Sequence, residues 1–346
     1  MSLVHDNRRL FKTRTGRMLD FTPLGLGTAP LANLYHAISN AQALQTLQEA
    51  WLQGVRYFDT APLYGFGLGE TRLGYFLHEQ SRDEYLLSTK VGRVLERCDY
   101  ESRAGIGKFF DVPARQMGYD YSYDGMMRSL DFSYERLGLD RIDIVLAHDL
   151  CIFTHGSAEA SAQRTREFLD GGYRALHDLR AQGLIDAIGI GVNEWEVSEV
   201  VARNTDVDLF MLAGRYTLLE QESLNSFMPL VAQKGMGVII AGPFNSGILA
   251  TGAKAGAWFN YEPASADILV RVGLIEAVCR AHGVSLRDAA LQFPLMHASV
   301  VSVVPGAATP DEVRSNAESL ARPIPTQLWK DLVSEKLLHD DAPFER

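Results

Sequence analysis

The feature that most constrains the fold is a regular alternation of short apolar segments with longer amphipathic ones along almost the whole chain. Each of eight apolar segments is followed by a segment with helical periodicity, a pattern typical of parallel strands connected by helices. Several of these segments are almost continuously apolar, as expected when both faces of a strand are buried. The predicted strands are residues 24–31, 55–59, 85–90, 142–148, 187–192, 207–212, 238–241 and 300–304.

Eight strand–helix units favour closure into a (β/α)8 barrel, also called a TIM barrel, over an open doubly wound sheet. The chain has 346 residues, which suits one barrel with insertions, and it lacks a Pro- or Ser-rich linker that would divide it. We therefore predict a single domain over residues 1–346. An N-terminal β-hairpin with its turn at Thr15 and Gly16 is predicted before the barrel, and extra helices near the C-terminus. Residues 92–123 and 149–164 are predicted as long loops.

The composition excludes several classes of protein. A formal net charge of -10 argues against nucleic acid as a partner. Three cysteines without a CxxC pair argue against a disulfide framework and a thiolate zinc site, so no metal is expected. No segment of about 18 apolar residues occurs, which predicts no membrane-spanning helix. Because the N-terminus also lacks the apolar run of a signal peptide, a cytoplasmic protein is expected.

Polar side chains follow four consecutive predicted strands at the point where each strand ends. Asp59, Lys90, His148 and Asn193 occupy these ends, and Tyr64 follows Asp59 in the next loop. Each of them alone has an ordinary structural explanation, such as a helix N-cap, a solvated charge or a hydrogen-bonded core histidine. Together they lie at the strand ends that carry the active site of a TIM barrel. We therefore predict that they converge on one site.

These residue types suit proton transfer between a carbonyl and an alcohol. A tyrosine has an unperturbed pKa of about 10, which a nearby lysine ammonium lowers by stabilising the phenolate. A carboxylate beside the lysine would hold the ammonium in place, and a neutral imidazole could donate a hydrogen bond to the substrate oxygen. The accompanying hydride requires a cofactor.

The pattern resembles the aldo-keto reductase superfamily over almost the whole chain. The resemblance implies a catalytic tetrad in which Tyr64 is the general acid/base, Lys90 and Asp59 tune it, and His148 orients the substrate. The stretches that carry the resemblance are DTAPLYG at 59–65, STK at 88–90, the strand end at His148, GIGVN at 189–193 and VPGAATP at 304–310.

The same resemblance implies a nicotinamide dinucleotide extended along the rim of the barrel. Tyr216 would stack on the nicotinamide ring and Asn193 would bind its carboxamide, whereas Ala213 replaces the glutamine that the family usually has. The loop over residues 242–249 would cover the pyrophosphate. The other implied cofactor contacts are Gly242, Pro243, Asn245, Gly247, Leu249, Pro305, Gly306, Ala307, Glu312 and Asn316.

The residues after the last strand predict a preference for NAD over NADP. NADP-preferring members commonly place a lysine and an arginine where this chain has Gly306 and Glu312. A glutamate repels a 2′-phosphate but tolerates a ribose hydroxyl. Arg314 is the nearest cation that could meet a phosphate, and Asn316 is expected to face the adenine.

Within the family, the chain is most similar to aldose 1-dehydrogenases that oxidise L-fucose and other D-threo-aldoses, and to pyridoxal 4-dehydrogenases. The segments behind this similarity are HDL at 148–150, GYRAL at 172–176 and LAGRYTLLEQ at 212–221. Both substrates form cyclic hemiacetals, and both give lactones on oxidation. The expected function is therefore oxidation of a small aldose, with pyridoxal as an alternative substrate. Phe66, Phe153, His155 and Trp258 are candidates for the pocket wall.

Other functions remain open on sequence alone. One is a general NAD(P)H-dependent carbonyl reductase, and another is a cofactor-binding regulatory subunit, like the potassium-channel β subunits that share this fold. A Rossmann dehydrogenase is disfavoured because no GxGxxG lies between a predicted strand and helix. A metal hydrolase barrel is disfavoured because the chain has no HxH or clustered His/Asp set.

Overall fold

Eight parallel strands form the central sheet of this computed structural model, which describes residues 7–100 and 108–344. The strand order is β14-β11-β10-β9-β8-β5-β4-β3, and parallel bridges join Leu24 to Val303 and Gly27 to Gly306 between the two edges. The sheet is therefore a nearly closed barrel, as predicted. Its strands are β3 Leu26–Gly27, β4 Tyr57–Asp59, β5 Leu86–Val91, β8 Ile144–His148, β9 Ala187–Val192, β10 Leu209–Ala213, β11 Gly237–Ala241 and β14 Val300–Val304.

Three antiparallel hairpins accompany the barrel. The N-terminal hairpin turns where predicted, with Gly16 at φ 87°. The other two hairpins lie in connections that follow barrel strands. The hairpin strands are β1 Arg9–Lys12 with β2 Met18–Phe21, β6 Arg93–Arg97 with β7 Arg115–Tyr119, and β12 Trp258–Phe259 with β13 Glu262–Pro263.

Helices connect the strands and cover the outside of the sheet. Within the described residues, none is long and apolar enough to cross a bilayer. They are α1 Asn40–Leu52, α2 Leu68–Leu77, α3 Tyr123–Leu137, α4 Ile152–His155, α5 Ala158–Glu167, α6 Tyr173–Ala181, α7 Trp195–Asn204, α8 Phe227–Lys234, α9 Ile248–Thr251, α10 Ala266–Ala281, α11 Leu286–Gln292, α12 Pro310–Ala321 and α13 Thr326–Ser334.

Two adjacent polar residues, Ser39 and Asn40, could each cap the start of helix α1. The Ser39 hydroxyl accepts the hydrogen bond from the Gln42 N–H, and Asn40 is the first helical residue. The side-chain oxygen Oδ1 of Asn40 instead accepts from Arg72 Nε at 2.9 Å, which ties α1 to α2. Two adjacent residues can both serve as caps, so the tertiary partner of Asn40 decides between them.

The core has two parts that the barrel separates. One lies inside the barrel, where Phe11, Leu19 and Phe21 of the N-terminal hairpin pack against strand residues such as Ile144 and Leu209. The larger part lies between the sheet and the helices. Because the hairpin fills the N-terminal end of the barrel, the open end is the one at which the strands terminate.

The two predicted long loops contain regular structure. Strands β6 and β7 lie within residues 92–123, helix α4 lies within residues 149–164, and helix α5 begins there and ends three residues later, at Glu167. Strand β6 pairs with a segment far along the chain, from Arg93 with Tyr119 to Arg97 with Arg115, so its strand character comes from the pairing rather than from local periodicity. Residues 101–107, inside the first loop, lie outside the described residues.

Candidate active site

The predicted polar residues meet at the carboxyl ends of strands β4, β5, β8 and β9. A cavity of about 390 Å³ opens there, lined among others by Tyr64, Lys90, His148 and Asn193. Parallel pairing places Asp59 beside Ser88 and His148 beside Gly191, so adjacent strands end at the same level. The barrel therefore brings together residues that are up to about 130 positions apart in the sequence, from Asp59 to Asn193.

Lys90 is the centre of a buried hydrogen-bond cluster. Its Nζ donates to both carboxylate oxygens of Asp59 at 2.9 and 2.7 Å, and to the Thr60 carbonyl oxygen at 3.0 Å. The Nζ also lies 3.2 Å from the Tyr64 hydroxyl oxygen and donates to it. Lys90 and Asp59 are both 2% exposed, so the ammonium position is fixed by partners that surround it.

A second layer of hydroxyl groups fixes the Asp59 carboxylate. The Ser88 hydroxyl donates to Asp59 Oδ1 at 2.7 Å, and the Tyr57 hydroxyl oxygen lies 2.9 Å from Ser88 Oγ. All three side chains are buried. Asp59 therefore has a single orientation in which both oxygens face Lys90, which keeps the Lys90 ammonium aimed at Tyr64.

The pKa of Tyr64 differs from the expectation drawn from the sequence. Burial raises it well above the ordinary value of 10.0, and the negative charges of Asp59 and Asp149 add to the effect. Lys90 does not reverse this, because its ammonium is closer to the Asp59 oxygens than to the Tyr64 oxygen. Tyr64 is therefore a protonated phenol at neutral pH, hydrogen-bonded to an ammonium that can stabilise its phenolate.

His148 is held as a neutral imidazole. Burial, together with the charges of Arg93 and Lys90, keeps its pKa well below 6.5, although Asp149 acts in the opposite direction. Its ring lies 6.2 Å from the Tyr64 ring, centroid to centroid, at an interplanar angle of 87°. A neutral imidazole beside a phenol can donate a hydrogen bond to a substrate oxygen without adding charge.

Asn193 and the small residues of the rim fit a nicotinamide nucleotide. The side-chain amide of Asn193 lines the cavity, and its hydrogen bonds to the described residues are long, at 3.5 Å to Asp149 Oδ1 and 3.4 Å from the Tyr261 hydroxyl. Gly242 and Gly247 have positive φ values, and no side chain lies within 4 Å of the place a Cβ would take at either. An amide with weak partners, next to an open glycine-rich edge, suits a carboxamide and a phosphate chain.

Three predicted cofactor contacts point elsewhere. Tyr216 is fully buried and packs against Phe293 at 5.3 Å between ring centroids, so its ring does not line the cavity. Leu249 is likewise buried in the core. The Asn245 amide nitrogen is used inside the loop, where it donates to the Gly214 carbonyl oxygen at 3.0 Å, although its Oδ1 has no partner among the described residues. Ala213 and Ala241 line the cavity, whereas the Tyr216 ring was expected to line it.

The loop after β14 places a carboxylate at the start of α12. Glu312 Oε2 accepts from the Ala308 N–H at 2.7 Å, and the Thr309 hydroxyl caps the helix. Gly306 is exposed, but a Cβ there would lie 2.6 Å from Pro30 Cγ, so a side chain at this position requires Pro30 to move. Asn316 is buried, and its Oδ1 accepts from Arg287 at 2.7 Å.

Arg314, the predicted nearest cation, is already paired. Its guanidinium bonds to Glu49 Oε2 at 2.9 Å and to Asp311. Among the residues that the structure describes, no group of three or more His, Cys, Asp or Glu side chains is placed to hold a metal ion.

Comparison with known proteins decides the family. A model of the aldo/keto reductase family matches residues 23–335. The chain belongs to this family. Pyridoxal 4-dehydrogenase of Microbacterium luteolum is 41% identical over 340 residues, which cover 94% of this chain and 96% of that protein. D-threo-aldose 1-dehydrogenase of a Pseudomonas species is 40% identical over 319 residues, which cover 91% and 94% of the two chains. This aldo/keto reductase is therefore an oxidoreductase, and enzymes of its family use NAD(P)H.

The barrel of this aldo/keto reductase also resembles solved structures of the family. An aldo-keto reductase from Bacillus halodurans, solved in a holo form, superimposes with a TM-score of 0.72 at 22% identity. The match covers 98% of this chain and 99% of that one. This likeness confirms the TIM-barrel prediction.

The pocket of this aldo/keto reductase contains residues that sequence reasoning did not place there. Arg93 and Asp149 form a buried ion pair on the cavity wall, beside His148. Both were visible as charges just past the ends of β5 and β8, which is the signal that could have found them. The other unexpected lining residues are Ala29, Leu34, Leu63, Lys108, Phe109, Tyr119, Thr154, Met211, Ala241 and Tyr261.

Of the four predicted pocket-wall residues, Phe153 lines the cavity and three lie elsewhere. Phe66 is buried in a small separate cluster with Leu95 and Val112. His155 packs edge-on against Tyr119 at 4.8 Å between ring centroids. Trp258 is 43% exposed on the hairpin that carries Tyr261 into the pocket.

Proposed function

We propose that this aldo/keto reductase oxidises a cyclic hemiacetal, L-fucose or another D-threo-aldose, to its lactone with NAD as the preferred oxidant. The observation that carries the proposal is the hydrogen-bonded series Asp59–Lys90–Tyr64, which meets neutral His148 in one cavity. The relatives that oxidise pyridoxal or D-threo-aldoses support the choice of substrate class.

Tyr64 is the group that handles the proton. In the oxidation, its phenolate accepts the proton of the hemiacetal hydroxyl as the C–O bond becomes the lactone carbonyl. Lys90 stabilises the phenolate through its hydrogen bond at 3.2 Å, and Asp59 keeps the ammonium in place. His148 donates a hydrogen bond to the same substrate oxygen and so orients the reacting carbon.

The cofactor would lie along the rim, held by Asn193 at its carboxamide end and by the loop after β14 at its adenosine end. When bound, the nicotinamide supplies the acceptor for the hydride that leaves the hemiacetal carbon. The hairpin residue Tyr261 and the buried walls of the cavity exclude water from the reacting carbon.

The NAD preference is argued from the loop itself. Glu312 places a negative charge beside the Ala308 N–H, where a 2′-phosphate would need a positive one. A lysine in place of Gly306 would require Pro30 to move. Both features disfavour a phosphate and leave room for a ribose hydroxyl.

Pyridoxal is the second candidate substrate. One relative that carries this activity in its name is 41% identical to the chain. The cavity also has aromatic walls that could stack on a pyridine ring, formed by Phe109, Tyr119, Phe153 and Tyr261.

The test is NAD+ reduction by the purified enzyme with L-fucose, D-arabinose, L-galactose and pyridoxal, with lactone identified as the product. The proposal expects sugar oxidation with a higher kcat/KM than pyridoxal oxidation. A reversed order would support the pyridoxal alternative. Turnover only with NADPH and simple aldehydes would support a general carbonyl reductase. Slow turnover on every substrate, together with a stable protein partner in a pull-down, would support a regulatory subunit.

A further inference from the structure

The ion pair of Arg93 and Asp149 lies in an unusual place for a structural ion pair. Asp149 is 4% exposed and Arg93 is 3% exposed, yet both line the cavity in which Tyr64 and His148 meet. His148 Nε2 lies 3.2 Å from Asp149 Oδ2. If a substrate oxygen binds to His148, the carboxylate of Asp149 and the guanidinium of Arg93 would therefore lie beside the carbon next to the reacting one.

The backbone of Asp149 is held in a conformation that residues other than glycine rarely adopt. Its φ is 58°, in the left-handed region, which costs free energy for a residue with a Cβ. The Tyr121 hydroxyl donates to the carbonyl oxygens of His148 and Asp149 at 2.6 and 2.9 Å, and His155 Nε2 lies 2.8 Å from the Asp149 oxygen. Surrounding side chains thus fix the strained backbone that turns the carboxylate toward the cavity.

Both charged groups keep hydrogen-bonding capacity beyond the ion pair. One Nη of Arg93 donates a hydrogen bond to Asp149 Oδ2. The other Nη donates to Met117 Sδ, a weak acceptor, at 3.1 Å. Its Nε has no partner among the described residues. Asp149 Oδ1 accepts only a long bond, at 3.5 Å from Asn193, within the described part of the chain. The pair therefore offers acceptor capacity on the carboxylate, and spare donors on the guanidinium.

We propose that Asp149 and Arg93 bind the substrate hydroxyl on the carbon next to the reacting one, and so select polyhydroxy hemiacetals. Asp149 accepts the hydrogen of this hydroxyl, and Arg93 donates to its oxygen. The inference rests on the proposed aldose oxidation and adds the residues that recognise the sugar. It assigns the pair a role in specificity, distinct from the proton transfer at Tyr64.

Two sugars that differ by one hydroxyl test the proposal. D-Arabinose carries a hydroxyl beside its anomeric carbon, and 2-deoxy-D-ribose is the same sugar without that group. The wild-type enzyme is expected to favour D-arabinose in kcat/KM by about 10- to 100-fold, the usual effect of a hydrogen bond to a charged group. Asp149→Asn should reduce this ratio to within about threefold of unity, chiefly through KM for D-arabinose. Asparagine tolerates a left-handed backbone, so the variant keeps the local shape.

A matched control separates recognition from stability. Asp143 forms a buried ion pair with Arg82 just before β8, at the end of that strand opposite to His148. Asp143→Asn should lower thermal stability and leave the sugar ratio unchanged. Both kcat/KM values in a sugar ratio are measured on one preparation, so a partly unfolded fraction cancels from the ratio. Asp149→Gly provides a second variant, in which the left-handed backbone is not strained.

The proposal is overturned if the wild-type enzyme oxidises both sugars with similar kcat/KM, or if Asp149→Asn and Asp149→Gly keep the wild-type ratio. If the wild-type enzyme oxidises neither sugar with NAD+ or NADP+, aldose oxidation itself is refuted, and this inference is refuted with it.

Discussion

At the scale of single residues, Tyr64 and Lys90 show why a motif does not fix a pKa. The same lysine that donates to Tyr64 at 3.2 Å lies 2.7 Å from an Asp59 oxygen, which largely neutralises its charge. Burial then dominates and raises the pKa of Tyr64. Which residues are neighbours could be predicted from the sequence, but their relative distances could not.

Replacing Tyr64 by phenylalanine removes the proton donor and leaves the ring. We expect kcat to fall by about 10²- to 10⁴-fold, the usual contribution of a positioned acid or base. Cofactor binding, measured by fluorescence titration, should stay within about twofold because the Tyr64 hydroxyl is proposed to contact the substrate rather than the cofactor. A variant with wild-type kcat would show that another group transfers the proton.

The pH dependence should differ between the two reaction directions. The proposed oxidation needs the Tyr64 phenolate, and the pKa of Tyr64 is raised above 10.0. We therefore expect kcat/KM for the sugar to increase steadily with pH without levelling off below that value. Reduction needs the protonated phenol, so it should be flat across neutral and moderately alkaline pH. His148 adds no further step in this range because its pKa is lowered below 6.5.

Full pH profiles with NAD+ and with NADH provide the measurement. An oxidation profile that levels off near neutral pH would mean that the pKa of Tyr64 is lowered in the complex that reacts. The sequence-based expectation would then be the better description of the working enzyme.

At the scale of elements, the proposed NAD preference depends on the start of helix α12. Replacing Glu312 by glutamine removes one negative charge but keeps an oxygen that can accept from the Ala308 N–H. We expect the ratio of kcat/KM for NADP+ to that for NAD+ to rise by about 5- to 20-fold, because a like charge near the 2′-phosphate is lost. In the wild-type enzyme, a tenfold preference for NADP+ would contradict the predicted NAD preference.

Asp311 offers a matched control on the same turn. Its carboxylate is 86% exposed and pairs with Arg314, so Asp311→Asn changes the net charge equally without changing the loop. Equal effects of the two substitutions would mean that the general negative potential, rather than Glu312, sets the preference.

Strands and helices could be predicted where the sequence pattern that indicates them is local. Strands β8 and β14 are almost continuously apolar, and both appear within two residues of their predicted bounds. Hairpin β6–β7 was missed because its partners are far apart in the chain. The burial of Tyr216 could not be predicted for a related reason. Its ring packs against Phe293, which lies in a distant helical turn, and no local sequence pattern indicates that contact.

At the scale of the whole molecule, closing the barrel and building the active site depend on the same contacts. Strand β3 has only two residues, so closure relies on close packing near Gly25. A Cβ at Gly25 would lie 2.8 Å from Tyr57 Cδ1 and 3.1 Å from Val304 Cγ2. The Tyr57 hydroxyl is 2.9 Å from Ser88 Oγ, and Ser88 in turn donates to Asp59. The seam of the barrel is therefore two hydrogen bonds away from the Asp59 carboxylate.

Gly25→Ala should disturb both properties at once. Overpacking at the seam is expected to destabilise the fold by about 1–3 kcal/mol, seen as a lower Tm, and displacement of Tyr57 should reduce kcat through Ser88 and Asp59. Gly118→Ala is the control, because Gly118 is exposed on β7 and nothing lies within 4 Å of its added Cβ. A lower Tm with unchanged kcat would show that the seam and the site are independent. An unchanged Tm would mean that Tyr57 can move aside without cost. Barrel closure would then not depend on a glycine at position 25.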